Sequence, residues 1–160
     1  MRAIAPAESA TSRATWVDAA PFRAHVRHAI ETTAVPWPVV AVAADVSLTA
    51  VHALLSGRAG RTQTKIAPQL AARLLQVDAR ELNAMRSLRV PAWLTGRRLR
   101  DQLAAGADPV RMARWCQIGL DELTLLVEGE ATSCRRLTEI LALAAERLGQ
   151  TEVGRSRLAA

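Results

Sequence analysis

The sequence predicts an all-α protein, and three observations carry that prediction. Ala, Leu and Arg dominate the 160 residues, Tyr is absent, and Phe22 is the only phenylalanine. No segment alternates apolar and polar residues in the way that half-buried strands do. Half of the residues are hydrophobic, so a chain of this length can bury one large core or two small ones. Each helix is therefore placed by its apolar spacing and its end residues.

Helical spacing places five helices in the first half of the chain. Asp18 is expected to cap the first helix, which runs to about Ala34. Pro36 and Pro38 break the chain after it. The other four are two short helices within Trp37–Gly57, one helix over Pro68–Gln76, and one from Asp78 to near Ser87.

The central stretch, Trp37–Gly57, divides into two short helices around a hinge at Asp45-Val46-Ser47. Ser47 is a good N-cap, because its hydroxyl can accept from the free backbone N–H groups of the second helix. Gly57 closes that helix, as glycine does after many helix ends. The apolar positions are Val39, Val40 and Ala43 in the first helix and Leu48, Val51, Leu54 and Leu55 in the second.

This stretch resembles the helix-turn-helix of the Cro/C1-type repressor family. Ala41 matches the small residue of the family's first helix, and Val46 matches the apolar residue after the turn. Val51 and Leu54 match the apolar anchors of the second helix, while Asp45 stands where the family usually has Gly. The order of helices also matches the family's five-helix domain. The resemblance implies binding to double-stranded DNA, typically as a dimer on half-sites about one helical turn apart.

The second half repeats the pattern at a spacing of 72 residues. The matched pairs are Ala41 and Ala113, Val46 and Ile118, Leu48 and Leu120, Val51 and Leu123, Leu54 and Leu126, and Gly57 and Gly129. Helices are predicted over Arg97–Ala105, Pro109–Cys116, Leu120–Glu128 and Ser133–Leu148. The chain thus resembles paired helix-turn-helix proteins of actinobacteria and their phages, with a degenerate second unit and a long C-terminal helix.

Four segments follow from this pattern. Residues 1–15 are predicted to be a disordered arm, 16–90 a DNA-binding helix-turn-helix domain, 91–150 a second such domain for interaction or dimerisation, and 151–160 a flexible tail. Arg2 and Arg13 in the arm suit either minor-groove contact or a loose tail. The residues up to Val90 carry about +5 of the net charge of +6, which points to a polyanionic partner for the first half.

The predicted recognition helix is the second helix of the first unit. The residues expected on its DNA-facing side are Ser47, Thr49, Ala50, His52, Ala53 and Ser56. None of them makes the arginine–guanine or amide–adenine pairs that give strong direct readout. Sequence discrimination is therefore expected to be modest, or to come partly from DNA shape. For Ser47 the alternative is capping alone, and for His52 it is an exposed position without a ligand.

A basic loop follows the recognition helix. Arg58, Arg61, Thr62 and Lys65 are predicted to contact DNA phosphates, with a solvated loop as the alternative. Arg23 and Arg27 on the first helix are weaker candidates for the same role. The alternative explanation of the very high pI is a preference for Arg over Lys in an ordinary soluble protein.

The second unit has acidic residues at the positions that would face DNA. Asp121, Glu122 and the exposed Leu125 are therefore predicted to bind a protein partner or a second copy. Helix-dipole placement alone also accounts for the two carboxylates. A basic cluster at the junction of the units is expected either to extend the phosphate contacts or to pair with the acidic face; its members are Arg86, Arg89, Arg97, Arg98 and Arg100.

The remaining residues indicate no chemistry. No Ser/His/Asp or Cys/His constellation has catalytic spacing, so we expect no enzyme, no metal site and no cofactor. Cys116 and Cys134 are expected to be core thiols, and Trp93 and Trp115 core residues. The chain shows neither a membrane-spanning run nor a signal-peptide apolar region, which favours a cytoplasmic, nucleoid-associated protein.

Together these patterns predict a double-stranded-DNA-binding transcriptional regulator, most simply a repressor. One alternative is a helix-turn-helix protein that serves as an adaptor or antitoxin-like module and does not bind DNA. Another is a nucleoid-associated protein of low sequence specificity.

Overall fold

A computed structural model describes residues 15–158 of the chain, with side chains described to residue 149. Helices dominate it, and strands occur only in two small two-stranded sheets, which confirms the predicted class. The first half contains β1 (Val17–Asp18), α1 (Ala20–Thr33), α2 (Trp37–Ala43), α3 (Leu48–Ser56), β2 (Lys65–Ile66), α4 (Pro68–Leu75) and α5 (Ala79–Ala84). The second contains β3 (Arg89–Pro91), α6 (Trp93–Ala104), α7 (Pro109–Cys116), α8 (Leu120–Glu128), β4 (Ser133–Arg135) and α9 (Arg136–Leu158).

Most predicted helices are present, and their end residues explain where they begin and stop. α7 and α8 match the predicted bounds, since Asp108 caps α7 with Pro109 in its first turn and Gly129 ends α8 with a φ of 82°. The prediction for α6 was late by four residues, because its start has no capping side chain at Ala92. α9 continues to Leu158, into the segment predicted to be a tail. The predicted arm, apart from Thr15, lies outside the described residues.

The two strand pairs were not predicted, because strands of two or three residues are too short to show alternation. Val17 pairs with Ile66 in the first sheet, and Val90 pairs with Cys134 in the second. The predicted helix over 133–148 therefore begins only at residue 136, after β4. Each half thus repeats the order strand, three helices, strand, helix, and α5 is an addition to the first half.

A single hydrophobic core runs through both halves. α9 packs against α6 and α7 of its own half and also against α2 of the first half. Arg86, which lies between α5 and β3, also contacts α1: its guanidinium donates to the carbonyl oxygen of Thr33 at 3.2 Å. The predicted boundary between residues 90 and 91 lies inside β3. The two repeats are therefore packed together through α9.

The cysteines and tryptophans divide between the core and the surface. Cys116 and Cys134 are buried free thiols, as expected. Trp115 is half-buried, and its indole Nε1 donates to the carbonyl oxygen of Leu141 at 2.8 Å. The prediction for Trp93 was wrong, since 70% of this residue is exposed at the start of α6. Residue size alone could not show which side of α6 faces the core.

Candidate nucleic-acid interface

The turn between α2 and α3 is closed by local hydrogen bonds. Asp45 has a left-handed φ of 51°, which an aspartate tolerates better than most residues. The N–H of Val46 then donates to the carbonyl oxygen of Ala41 at 3.0 Å. Ser47 caps α3, and its Oγ accepts from the N–H of Ala50 at 3.1 Å. The predicted capping role of Ser47 is therefore confirmed.

An arginine from α4 holds this turn. The Arg73 guanidinium donates to the carbonyl oxygen of Asp45 and lies 3.2 Å from its Oδ2 atom. In the second half, Arg135 donates in the same way to the carbonyl oxygen of Gln117, which has a φ of 55°. Sequence reasoning missed both arginines, because their acceptors are backbone atoms that a side-chain pattern does not show. The angle between the two short helices is thus fixed from outside the turn.

The exposed side of α3 carries most of the predicted DNA-facing residues. Ser47, His52 and Ser56 are exposed, and Thr49 and Ala50 are half-buried. Ala53 was wrongly predicted to face DNA, since only 4% of it is exposed. A helical wheel of α3 alone places Ala53 outward, because it takes no account of how the rest of the protein packs around the helix.

The imidazole of His52 lies against an aromatic neighbour. Its ring centroid is 5.5 Å from that of Trp37 at the start of α2, with an interplanar angle of 57°. The tilted contact gives the imidazole one preferred orientation while leaving it exposed. His52 is therefore a preoriented polar group on the outer side of α3.

The loop after α3 is a tight hairpin. The N–H groups of Arg58 and Arg61 each donate to the other residue's carbonyl oxygen at 2.9 Å. Ala59 and Gly60 between them have φ values of 49° and 74°, the positive values that a type I′ turn needs at both central residues. The two arginines therefore lie directly opposite each other, with Cα atoms about 5.5 Å apart as in any such hydrogen-bonded pair.

Gly57 makes this return of the chain possible. Its φ is 81°, and a Cβ atom there would lie 2.4 Å from the carbonyl oxygen of Arg61. Any side chain at this position would push the hairpin away from α3. The position of the arginine pair relative to the recognition helix is therefore set by a backbone contact.

The two guanidinium groups of the hairpin are exposed and have no anionic partner in the described part of the chain. Neither Arg58 nor Arg61 makes a side-chain hydrogen bond or an ion pair within residues 15–149. Like charges directly opposite each other in a strand pair destabilise it. An external anion bound between them would remove that repulsion.

Thr62 and Lys65 continue the predicted basic loop with different surroundings. Thr62 is exposed beyond the hairpin, and Lys65 is exposed in β2. The strand register places Asp18 opposite Lys65, so the carboxylate reduces the positive potential around the ammonium group. Lys65 is thus a weaker site for phosphate than the hairpin arginines.

Arg23 and Arg27, the weaker phosphate candidates, hold the end of α3 instead. Arg23 Nε donates to the carbonyl oxygen of Leu54 at 2.7 Å, and its other end donates to that of Gln63. Arg27 donates to the carbonyl oxygen of Leu55 at 3.3 Å. The carbonyls of Leu54 and Leu55 have no partner within α3, so the guanidinium groups satisfy them.

The cluster of arginines at the junction is also occupied by protein contacts. Arg89 donates to Ser133, and Arg100 donates to the carbonyl oxygen of Val127. Arg98 lies 3.0 Å from Glu146, and Arg97 lies 4.0 Å from Asp101. The cluster therefore makes contacts within the second half, and Arg97 and Arg98 are the members that face a carboxylate among the described residues.

In the second half, α8 occupies the position of α3 but is acidic, whereas α3 has no charged residue. Asp121 and Leu125 are exposed, as the predicted partner surface requires. Glu122 is half-buried, and its charge is among those that raise the pKa of the buried Cys134 thiol, a shift caused mainly by burial. Glu122 thus faces partly inward. Asp121 and Leu125 remain the outer residues.

No protein-family model, curated protein or solved structure matches this chain. Within residues 15–158, no group of three His, Cys, Asp or Glu side chains is arranged to hold a metal ion. None of the described helices has the length and apolar character needed to cross a bilayer. The surface built by α3 and its hairpin is the strongest candidate site in the described part of the chain.

Proposed function

We propose that this protein is a double-stranded-DNA-binding transcriptional regulator, most simply a repressor, that uses its first half to bind DNA. The observation that carries the proposal is the exposed arginine pair of the Arg58–Arg61 hairpin, directly after α3, which no carboxylate of the described residues neutralises. Guanidinium groups bind phosphate oxygens through two parallel hydrogen bonds. Two of them on one hairpin suit the closely spaced phosphates of a DNA strand.

The position of α3 supports this proposal. Its outer side is polar and carries Thr49, His52 and Ser56. The helix can therefore lie in a major groove without long side chains that would keep its backbone away from the bases. Its N-terminus carries the positive end of the helix dipole, which also favours phosphate. With α3 in the groove, the hairpin at its other end would meet the backbone.

The same residues imply modest sequence discrimination. Exposed arginine, asparagine and glutamine side chains, which read guanine and adenine most strongly, are absent from α3. Phosphate contacts position a protein on DNA without reading its sequence. Selectivity in this proposal therefore comes from Ser, Thr and His contacts together with DNA shape.

Fluorescence anisotropy of the full-length protein on a labelled duplex, across a salt titration, tests the proposal. We expect Arg58→Ala combined with Arg61→Ala to lower affinity at least tenfold and to reduce the slope of log K against log salt by about 2, because two phosphate contacts are lost. Arg111→Ala with Arg114→Ala is the matched control, since both arginines are exposed on α7.

Two outcomes would contradict DNA binding through this surface. One is a wild-type chain that shows no binding at low salt. The other is a control double variant that loses as much affinity as the hairpin variant. Comparison of random duplexes with duplexes selected from a genomic library then separates a regulator from a nucleoid protein of low specificity, because only the regulator prefers the selected sequences.

A further inference from the structure

The surface of α8 is an acidic counterpart of the proposed DNA-binding surface. At a spacing of 72 residues, Thr49 corresponds to Asp121, Ser56 to Glu128 and Arg58 to Glu130. The three acidic residues are exposed, and none of them forms an ion pair with a described residue. Asp121 and Glu128 are spaced so that they share one side of α8.

An exposed leucine lies among these carboxylates. Leu125 is 43% exposed on the side of α8 that carries Asp121 and Glu128, and Leu120 at the start of the helix is 49% exposed. The corresponding residue in α3, Ala53, is 4% exposed. The connection after α8 covers residues 129–132, whereas that after α3 covers residues 57–64. The shorter connection has no hairpin, and this side of α8 is exposed.

We propose that this side of α8 binds the Arg58–Arg61 hairpin of a second copy of the same chain. The two surfaces are complementary in charge, and neither has an ionic partner among the side chains of residues 15–149. Asp121, Glu128 and Glu130 would pair with the two guanidinium groups, while Leu125 would be covered at the centre of the contact. Charged residues around an apolar centre are the usual arrangement of a protein interface.

Reciprocal contacts can close this assembly as a dimer. Each chain carries one basic hairpin and one acidic helix, so two chains related by a two-fold axis can exchange both contacts. Arg100 lies beside the end of α8, where its guanidinium is bound to the carbonyl oxygen of Val127. It reduces the negative potential near the end of α8, but three exposed carboxylates remain in excess.

The dimer has a consequence for DNA binding, and this part of the inference rests on the proposed function. Arg58 and Arg61 cannot bind a carboxylate surface and a phosphate backbone at once. DNA and the second copy would therefore compete for the hairpin. Self-association would lower the concentration of chains able to bind DNA.

Sedimentation velocity of the full-length chain at 50 and 300 mM NaCl tests the dimer. We expect the dimer dissociation constant to rise at least tenfold at the higher salt, because surface ion pairs are screened. Glu128→Arg with Glu130→Arg, and separately Arg58→Glu with Arg61→Glu, should each give a monomer. An equimolar mixture of these two variants should associate again, since the charges are complementary once more.

The control is Glu31→Arg with Glu81→Arg, which makes the same change of charge at exposed positions of α1 and α5. Circular dichroism establishes that each variant is folded. A wild-type chain that is monomeric at 50 mM NaCl overturns the inference. So does a mixture of folded charge-reversed variants that fails to associate, or a control that dissociates as fully as the α8 variant.

DNA anisotropy separates this inference from the proposed function. The Glu128→Arg and Glu130→Arg variant should bind duplex at least as tightly as wild type, because its hairpin is released. Self-association without DNA binding would contradict the proposed function alone. DNA binding by a chain that stays monomeric would contradict the dimer alone.

Discussion

Arg100 donates from Nε to the carbonyl oxygen of Val127 at 2.9 Å, and the contact has a counterpart in the first half of the chain. There Arg27 donates to the carbonyl oxygen of Leu55 at 3.3 Å. In each half an arginine of the first helix thus satisfies a free carbonyl at the end of the third helix. The repeat therefore includes individual hydrogen bonds as well as the order of elements.

Replacing Arg100 should destabilise the second half. We expect Arg100→Ala to lower the free energy of unfolding by about 1 kcal/mol, the usual contribution of one such hydrogen bond. Urea unfolding followed by circular dichroism measures it. Arg97→Ala is the control, since its ion pair with Asp101 spans 4.0 Å between two side chains that are each 70% exposed, and such a pair contributes little. Equal losses from both variants would contradict a specific role for the Val127 contact.

Gly96 allows α6 and α8 to approach closely. A Cβ atom at residue 96 would lie 2.2 Å from the carbonyl oxygen of Leu126, so the two helices must separate to admit it. We expect Gly96→Ala to destabilise the protein by about 2 to 3 kcal/mol, as overpacking does. In Gly149→Ala the new methyl group meets nothing within 4 Å, so that variant should be neutral or up to about 1 kcal/mol more stable. Thermal or urea unfolding that fails to separate the pair would refute the close contact.

The burial of Ala53 predicts a stability effect at a position that sequence analysis assigned to DNA contact. Ala53→Leu should destabilise the protein by about 1 to 3 kcal/mol, because added methyl groups have no room in a buried site. Ala43→Leu is the matched control, since Ala43 is exposed on α2. If both variants lower the urea midpoint equally, residue 53 has room for a larger side chain, which would contradict its burial.

The pH dependence of stability should report the buried thiols. Burial, with a smaller effect from Cys134, raises the pKa of Cys116 from 9.0 to about 12. The folded state therefore keeps a proton that the unfolded state loses, and stability falls as pH rises from about 9 towards 12, by at most about 1.4 kcal/mol per pH unit.

Urea midpoints of wild type and Cys116→Ala at pH 7.5, 9 and 10.5 measure this effect. Other groups titrate in the same range, so the informative quantity is the difference between the two slopes. Wild type should lose stability faster above pH 9. Parallel curves would show that Cys116 ionises as readily in the folded protein as in the unfolded chain.

Local end residues explain how far the helices could be predicted. Asp108, Pro109 and Gly129 act within one turn of the backbone, so α7 and α8 were placed correctly from sequence. The strand pairs join residues far apart in the chain, such as Val17 and Ile66, and no local pattern indicates them. The prediction for Trp93 failed for a related reason, because the side of a helix that is covered depends on distant elements.

The candidate site shows the same division. The capping by Ser47 follows from its position before α3, and the structure confirms it. The opposed arginines of the hairpin and the contacts of Arg73 and Arg27 depend on backbone atoms brought together by folding. The correspondence of Glu130 to Arg58, which reverses the charge, follows from the 72-residue spacing of the repeat. Only its exposure required the structure.

The packing of α9 on α2 bears on how this protein folds during its synthesis. α9 follows α2 by about 100 residues in the chain. At a ribosomal rate of roughly 5 to 20 residues per second, about 5 to 20 seconds pass between the synthesis of α2 and the synthesis of α9, which covers it. During that interval a nascent chain offers an apolar segment to chaperones. The half that we propose to bind DNA is thus translated first, but its packing is complete only after α9 has been synthesised.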